Sequence, residues 1–246
     1  MLFIVVLLVS TISSIESHWN ERNETVLRLN RPLSSLFFDE ILIDGAFDVF
    51  LSQSTEPSNP SVELETTVYA QKQILVEIID NHILSIRSKS PLVVHKNIHA
   101  YIRFHSSLRR YTIKGTGNTM TDENGIFMTT DEKFTLDNRG TANVAMQLDV
   151  YQLEILLSGT GNSRFWGQVR DQMSLETRGV GDVNAMNLLA KKVSVQSAGV
   201  STVRVAATDD VQIEVTGVST VYYRLLSGKK PTKTITTGLG QILPVA

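Results

Sequence analysis

A short glycine corner that recurs after alternating segments constrains this chain more than any other feature. The corner has the form Gly-x-small-polar, as in Gly159-Thr-Gly-Asn162, and it occurs seven times between Gly115 and Gln241. The corner glycines are Gly115, Gly140, Gly159, Gly179, Gly199, Gly217 and Gly238. Successive glycines lie 25, 19, 20, 20, 18 and 21 residues apart. A repeat near 20 residues is typical of stacked coils, in which each coil covers the apolar face of the next.

Apolar and polar side chains alternate in the segments between the corners. Before Gly199, for example, Val193 and Val195 alternate with Ser194 and Gln196. This period of two indicates β-strands with one buried and one solvated face. The sequence therefore predicts an all-β fold, namely a single-stranded parallel (right-handed) β-helix, or β-solenoid, with coils of about 20 residues.

Each corner position has its own residue preference. Glycine at the first position indicates a positive φ or a close backbone approach, and the third position is always small. The fourth position is polar in every corner, and strands stacked about 4.8 Å apart would let these side chains form a hydrogen-bonded ladder. We call this set the polar ladder, and it comprises Asn118, Asn143, Asn162, Asp182, Thr202, Thr220 and Gln241.

The N-terminal segment predicts secretion. Residues 2–9 are wholly apolar but too few to span a bilayer, so residues 1–17 are predicted to be a signal peptide, with a buried N-terminal strand as the alternative. Residues 18–36 are polar and irregular and are interpreted as a leader or N-terminal cap. Asn23 begins an Asn-Glu-Thr glycosylation sequon, which predicts a glycoprotein. We expect no membrane insertion after signal cleavage, because no later segment is long and apolar enough.

Charge and composition exclude several classes of function. The chain has 23 basic and 25 acidic residues and a net charge of −2, so nothing predicts binding to nucleic acid. It has no cysteine, which excludes disulfides and thiolate metal sites. Between the leader and the first corner, strands are predicted, although the spacing of Gln71 to Asp80 fits a short helix and a strand equally well.

Two parts of the sequence together carry a resemblance to a known family. One is the block from Phe38 to Gln53, followed by Val62-Glu-Leu-Glu and Leu84-Ser-Ile. The other is the series of corners, which ends with Val218-Ser-Thr-Val-Tyr-Tyr223 and Gly238-Leu-Gly. Over about residues 36–243 the chain resembles the head GIN domain family of auto-transporter adhesins, and we interpret residues 37–243 as one head GIN-like domain. The resemblance implies a β-helical, secreted or surface-exposed domain, and it supplies no catalytic residue.

No cofactor or metal is predicted. A strand rather than a helix follows each glycine pair, which is the wrong context for a nucleotide loop. Only one corner of the seven has an aspartate, Asp182, so the repeat does not match a calcium-binding β-roll. His95, His99 and His105 lie among arginines and lysines rather than carboxylates, which favours a solvated face over a zinc site.

Several exposed groups define the functional alternatives. Glu154 and Glu176 are expected to stack as neighbours, and they would be the acid pair of a polysaccharide hydrolase or lyase. The aromatic pairs Phe165-Trp166 and Tyr222-Tyr223 either contact a sugar or partner or pack beneath their turns.

We favour a non-enzymatic binding or adhesion module, secreted or at the cell surface, that contacts an extracellular glycan or protein through an exposed sheet face. A polysaccharide-cleaving enzyme and a purely structural or self-associating solenoid, including a homo-oligomer, are the alternatives.

Overall fold

The computed structural model describes residues 25–89, 92, 96–128 and 132–245. The predicted signal peptide and Asn23 lie outside the described residues. Within them, no helix is both long enough and apolar enough to cross a membrane.

Seven strands and one short helix form the N-terminal part. Their bounds are β1 Val26–Arg31, β2 Glu40–Asp44, β3 Asp48–Gln53, β4 Ser61–Thr67, α1 Val68–Gln73, β5 Ile74–Ile79, β6 Ile83–Ser88 and β7 His99–Phe104. The ambiguous segment from Gln71 to Asp80 therefore holds the end of a helix and then a strand. Thr67 caps the helix, because its side-chain oxygen accepts a hydrogen bond from the Ala70 N–H. Strand β1 lies within the segment that we interpreted as an irregular leader.

The remaining strands hold the repeated corners. Their bounds are β8 Arg110–Ile113, β9 Thr116–Thr121, β10 Ile126–Phe127, β11 Lys133–Asn138, β12 Thr141–Val150, β13 Gln152–Leu157, β14 Ser163–Thr177, β15 Val183–Ser197, β16 Val200–Val215, β17 Val218–Leu225, β18 Lys233–Thr236 and β19 Gln241–Pro244.

From β8 onward, each strand pairs in parallel with the strand about one repeat away. Leu153 on β13 lies opposite Phe134 on β11, and Met173 on β14 lies opposite Leu153. Buried side chains from Phe38 to Val221 form one hydrophobic core. The aliphatic residues of one coil thus pack on those of the next, as the alternating sequence requires.

The predicted single-stranded parallel, right-handed β-helix is wrong, because the sheet is mixed. Among the described strands, β1 pairs with β4, β4 with β7 and β5 with β6 in antiparallel fashion. All the described strands belong to one sheet, which wraps almost closed around the core. The departures from parallel pairing are confined to the N-terminal part.

Two chain reversals cause the antiparallel pairings. Asp80 and Asn81 have φ values of 51° and 62°, and the two left-handed residues close a tight hairpin between β5 and β6. The segment with Pro57 and Pro60 turns the chain between β3 and β4, so that β4 runs against β7 while β3 runs parallel to it. The regular series of corners from Gly115 onward follows these reversals.

The corner glycines bring the coils into close contact. A Cβ atom on Gly159 would lie 1.8 Å from the carbonyl oxygen of Gly140, far inside van der Waals contact. At the third position, Gly161 has a φ of +138°, and its Cβ would lie 2.2 Å from the Ala142 oxygen. Close approach therefore explains the first glycine of this corner, whereas close approach and backbone conformation together explain the third.

Candidate binding groove

The polar ladder begins one strand earlier than the repeat suggests. The backbone N–H and the Nδ2 of Asn118 both donate to Asp48 Oδ1, at 2.9 Å each. Asn143 Nδ2 then donates to Asn118 Oδ1 at 3.1 Å. Sequence reasoning missed Asp48, although it lies three residues after Gly45 in a Gly-Ala-Phe-Asp corner. The spacing of that corner could have revealed it, since Gly115 stacks directly on Gly45.

The side chains of Asn143, Asn162 and Asp182 each accept a hydrogen bond from the backbone of the next coil. The Asn162 N–H donates to Asn143 Oδ1 at 2.9 Å, the Asp182 N–H to Asn162 Oδ1 at 3.0 Å, and the Thr202 N–H to Asp182 Oδ1 at 3.1 Å. Thr220 and Gln241 continue the column in register with Thr202. Among the described residues, however, the side-chain hydrogen bonds of the ladder end at Asp182, so Thr202, Thr220 and Gln241 keep the register but make no side-chain hydrogen bond along the column.

A second line of outward side chains runs beside the ladder, two residues further along each strand. We call it the outer row, and the strand registers place its members side by side as Met120, Ala145, Arg164, Asn184 and Arg204. Between the two lines lies the outer groove, which holds about 1150 Å³ of space open to solvent. Inward-facing Thr119, Val144 and Ser163 form its floor.

Several polar groups of the outer groove lack a partner in the described part of the chain. The Nδ2 of Asn162, the second carboxylate oxygen of Asp182 and the guanidinium of Arg164 make no hydrogen bond or ion pair there. Arg204 stacks over the Tyr222 ring, with its Cζ 5.3 Å from the ring centroid. The groove therefore offers donors and one carboxylate to a ligand at neighbouring strands.

An aromatic stack ends the outer row on the N-terminal side. Phe50 lies in register with Met120 and with Tyr101, and the Phe50 and Tyr101 rings stack at 4.8 Å with an interplanar angle of 14°. The guanidinium of Arg28 lies over the Tyr101 ring, with its Cζ 3.7 Å from the ring centroid. Partial burial and the hydrogen bond to Glu65 raise the pKa of the Tyr101 hydroxyl, which stays a neutral donor at physiological pH.

Comparison with known proteins assigns the family. A family model described as "Putative auto-transporter adhesin, head GIN domain" matches residues 37–224. This chain belongs to that family. The resemblance seen in the corners and the N-terminal block is therefore confirmed.

Solved structures share the fold of this head GIN domain. A "putative adhesin" from Bacteroides fragilis has a TM-score of 0.79 at 23% identity, over 90% of this chain and 97% of its own. A "putative adhesin" and a "putative lipid binding protein", both from Parabacteroides distasonis, have TM-scores of 0.62 and 0.61 at 19% and 18% identity, each over 91% of this chain and 98% of their own. A comparison with curated proteins gives no match.

The four aromatic residues singled out in the sequence of the head GIN domain have different environments. Phe165 is 1% exposed and belongs to the core, as the packing alternative predicts. Trp166 is half-buried, and its Nε1 donates to Gln147 Oε1 at 2.9 Å. Tyr222 contacts Arg204, whereas Tyr223 packs against the core. Tyr222 therefore contacts a residue that lines the outer groove.

The expectation that Glu154 and Glu176 stack as neighbours is wrong. Glu154 lies opposite Ser174, and Glu176 lies opposite Leu156, because the two residues precede their glycines by different distances. Lys133 Nζ is 2.9 Å from Glu154, and this hydrogen bond lowers the pKa of the Glu154 carboxyl. Glu176 forms an ion pair with Arg178. A lowered pKa opposes service as a general acid near neutral pH.

One group of described residues has the spacing of metal ligands. Ligand atoms of Asp39, Glu40 and His82 all lie within 4.8 Å of one another. Arg109 already contacts Asp39 at 2.6 Å and Glu40 at 4.0 Å, so a guanidinium neutralises these carboxylates. His99 lies 3.8 Å from both Asp48 and Glu65, and His95 lies outside the described residues. We therefore assign no metal to either group.

Proposed function

We propose that this head GIN domain is a non-enzymatic cell-surface adhesion module that binds a carbohydrate chain along the outer groove. The observation that carries the proposal is the straight double line of side chains, in which hydrogen-bonding groups recur at the strand spacing. Membership of a family described as adhesins supports adhesion and an extracellular or cell-surface location. We expect the glycoprotein to be secreted through its signal peptide.

An extended carbohydrate fits the groove better than a compact ligand does. Hydroxyl groups along a glycan both donate and accept hydrogen bonds, and the groove presents amides, a carboxylate and guanidinium groups in one line. Tyr222 beside the groove and the Phe50–Tyr101 stack at its N-terminal end supply apolar aromatic surface, against which the C–H groups of sugars can pack. A globular ligand would contact only part of this length.

The test is a glycan array probed with the secreted full-length chain and with groove variants. Asn162→Ala and Arg164→Ala together should reduce binding to any recognised glycan about tenfold or more, because each removes a charge-assisted or neutral hydrogen bond. Lys191→Ala is the matched control, since Lys191 is exposed but does not line the groove. Circular dichroism spectra at the assay temperature should show the same fold for all three proteins, and the double variant should melt somewhat lower because it also loses the ladder bond from the Asp182 N–H to Asn162.

Two results would contradict the proposal. One is an array on which the wild-type chain binds nothing. The other is a glycan whose binding is lost equally in the groove variants and in Lys191→Ala, which would separate adhesion from the groove.

A second candidate function is self-association, which a column of exposed aliphatic residues favours. At the second corner position, Val180, Val200, Val218 and Leu239 are 55%, 54%, 54% and 82% exposed. The same column holds threonine at Thr116, Thr141 and Thr160 in the earlier corners. An uncharged apolar edge of this kind suits contact with another copy of the chain.

A further inference from the structure

The outer groove contains two guanidinium groups on alternate strands. Arg164 on β14 lies beside Asn184 on β15, which in turn lies beside Arg204 on β16. With strands about 4.8 Å apart, the Cα atoms of the two arginines lie about 10 Å apart along the groove. One neutral side chain therefore separates the two positively charged residues in the outer row.

Neither guanidinium has an ion-pair partner in the part of the chain that the structure describes. Other outward arginines do have one: Arg139 lies 2.6 Å from Asp137, and Arg170 lies 2.9 Å from Asp149. Asp182 is the one carboxylate among the described residues that line the groove, and it is not within 4.0 Å of either guanidinium. The groove therefore keeps two unneutralised cations against a single anion.

Arg204 is positioned beside an aromatic ring at the edge of the groove. Its Cζ lies 5.3 Å from the centroid of the Tyr222 ring, a cation–π contact that leaves the N–H groups without a hydrogen bond among the described residues. A guanidinium presented in this way binds a carboxylate with two parallel hydrogen bonds. Arg164 is exposed beside Ala145, whose small side chain leaves space over the groove floor.

We propose that the ligand of the outer groove is an acidic polysaccharide in which carboxylates recur on every second sugar, one bound by Arg164 and the next by Arg204. This inference rests on the proposed function and adds the chemical class of the glycan. One strand spacing is comparable to the length of one sugar in an extended chain, so the neutral sugar lies over Asn184. Asp182, on the opposite side of the groove, faces hydroxyl groups rather than carboxylates.

The test compares two soluble polymers by isothermal titration calorimetry with the full chain. One polymer alternates glucuronic acid with N-acetylglucosamine, and the other is the same polymer with its carboxylates reduced to hydroxymethyl groups. The acidic polymer should bind at least about tenfold more tightly, and its affinity should fall as salt increases, because ion pairs between exposed groups are screened. Arg164→Gln and Arg204→Gln should each lower the affinity for the acidic polymer about tenfold. Arg204→Lys should lower it less, because lysine keeps the positive charge.

Each outcome decides the inference. Equal affinity for the two polymers, no binding of the acidic polymer, or unchanged binding by the double Gln variant would overturn it. If the reduced polymer binds and Asn162→Ala weakens it, the carbohydrate function stands while the acidic class fails. If neither polymer binds and no glycan on the array depends on the groove, the proposed function fails as well.

Discussion

At the scale of single residues, backbone contact between coils determines which side chains the corners accept. The corner glycines stack so closely that a methyl group on Gly159 would overlap the Gly140 carbonyl. The polar ladder uses the same proximity, since its side-chain oxygens reach the N–H groups of the next coil. Small first and third residues and a polar fourth residue therefore have one common cause.

Gly159→Ala should destabilise the protein strongly. A backbone carbonyl cannot move aside as a flexible side chain can, so we expect a loss of about 3 kcal/mol in the free energy of unfolding, the upper part of the usual range for overpacking. Thr160→Ala is the control, because Thr160 is exposed at the next position of the same corner. Urea unfolding followed by circular dichroism measures both, and equal midpoints would refute the close-approach explanation.

At the scale of elements, short reversals decide which strands run antiparallel. The β5–β6 hairpin depends on two left-handed residues, and its second residue, Asn81, is among the few side chains that tolerate this conformation. Strand β6 then pairs in parallel with β2, so the hairpin sets the first layer on which the repeat is built.

Asn81→Val should weaken the hairpin, because a β-branched residue is disfavoured at a φ of 62°. We expect a loss of about 1–2 kcal/mol in thermal or urea unfolding experiments. Asn81→Gly is the matched control and should be neutral or slightly stabilising, since glycine adopts the left-handed region freely. A valine variant as stable as the glycine variant would show that the turn does not set the strand direction.

At the scale of the whole molecule, the exposed surface divides into a polar groove and an apolar edge. The two lines of side chains along the groove carry amides, arginines and one carboxylate. At the second corner position, threonine gives way to aliphatic residues after Thr160. The first surface suits a glycan, and the second suits another copy of the chain. The two candidate functions therefore use different sides of the corner.

Self-association should be sensitive to charge on the apolar edge. If the edge joins two copies, the wild-type chain should show a dimer in light scattering after size-exclusion chromatography. Val200→Lys with Val218→Lys should then be monomeric, because two ammonium groups would lose hydration in the contact. Thr141→Lys is the control in the same column, away from the aliphatic residues. A wild-type monomer, or a dimer unchanged by the double variant, would reject this candidate.

The repeat made part of the fold predictable from local information. A glycine near every 20 residues, with alternation between, predicted an all-β chain, the inward faces and the parallel stacking positions from β8 onward. For the same reason, the repeat aligned the polar corner residues in one column. The strands before Gly115 do not follow the 20-residue period, so the repeat gave no sign that some of them pair in antiparallel fashion. Extending one uniform β-helix over the whole domain was therefore wrong.

In the candidate site, the sequence alone could not predict contacts between residues that are far apart in the chain. Asp48 and Asn118 are separated by 70 residues, and only the folded stack places them at 2.9 Å. Arg164 and Arg204 become neighbours across Asn184 only through strand register. The same register separates Glu154 from Glu176, which the sequence alone had suggested as a pair.

The sequence by itself determined the family, the β structure and the column in which the polar corner residues lie, because these depend on residue type and a short period. Tertiary structure decided the direction of the N-terminal strands, the first residue of the ladder, and the line of free guanidinium and amide groups that forms the groove. Those features depend on contacts between residues far apart in the chain, whose partners are set by chain reversals and register rather than by local pattern.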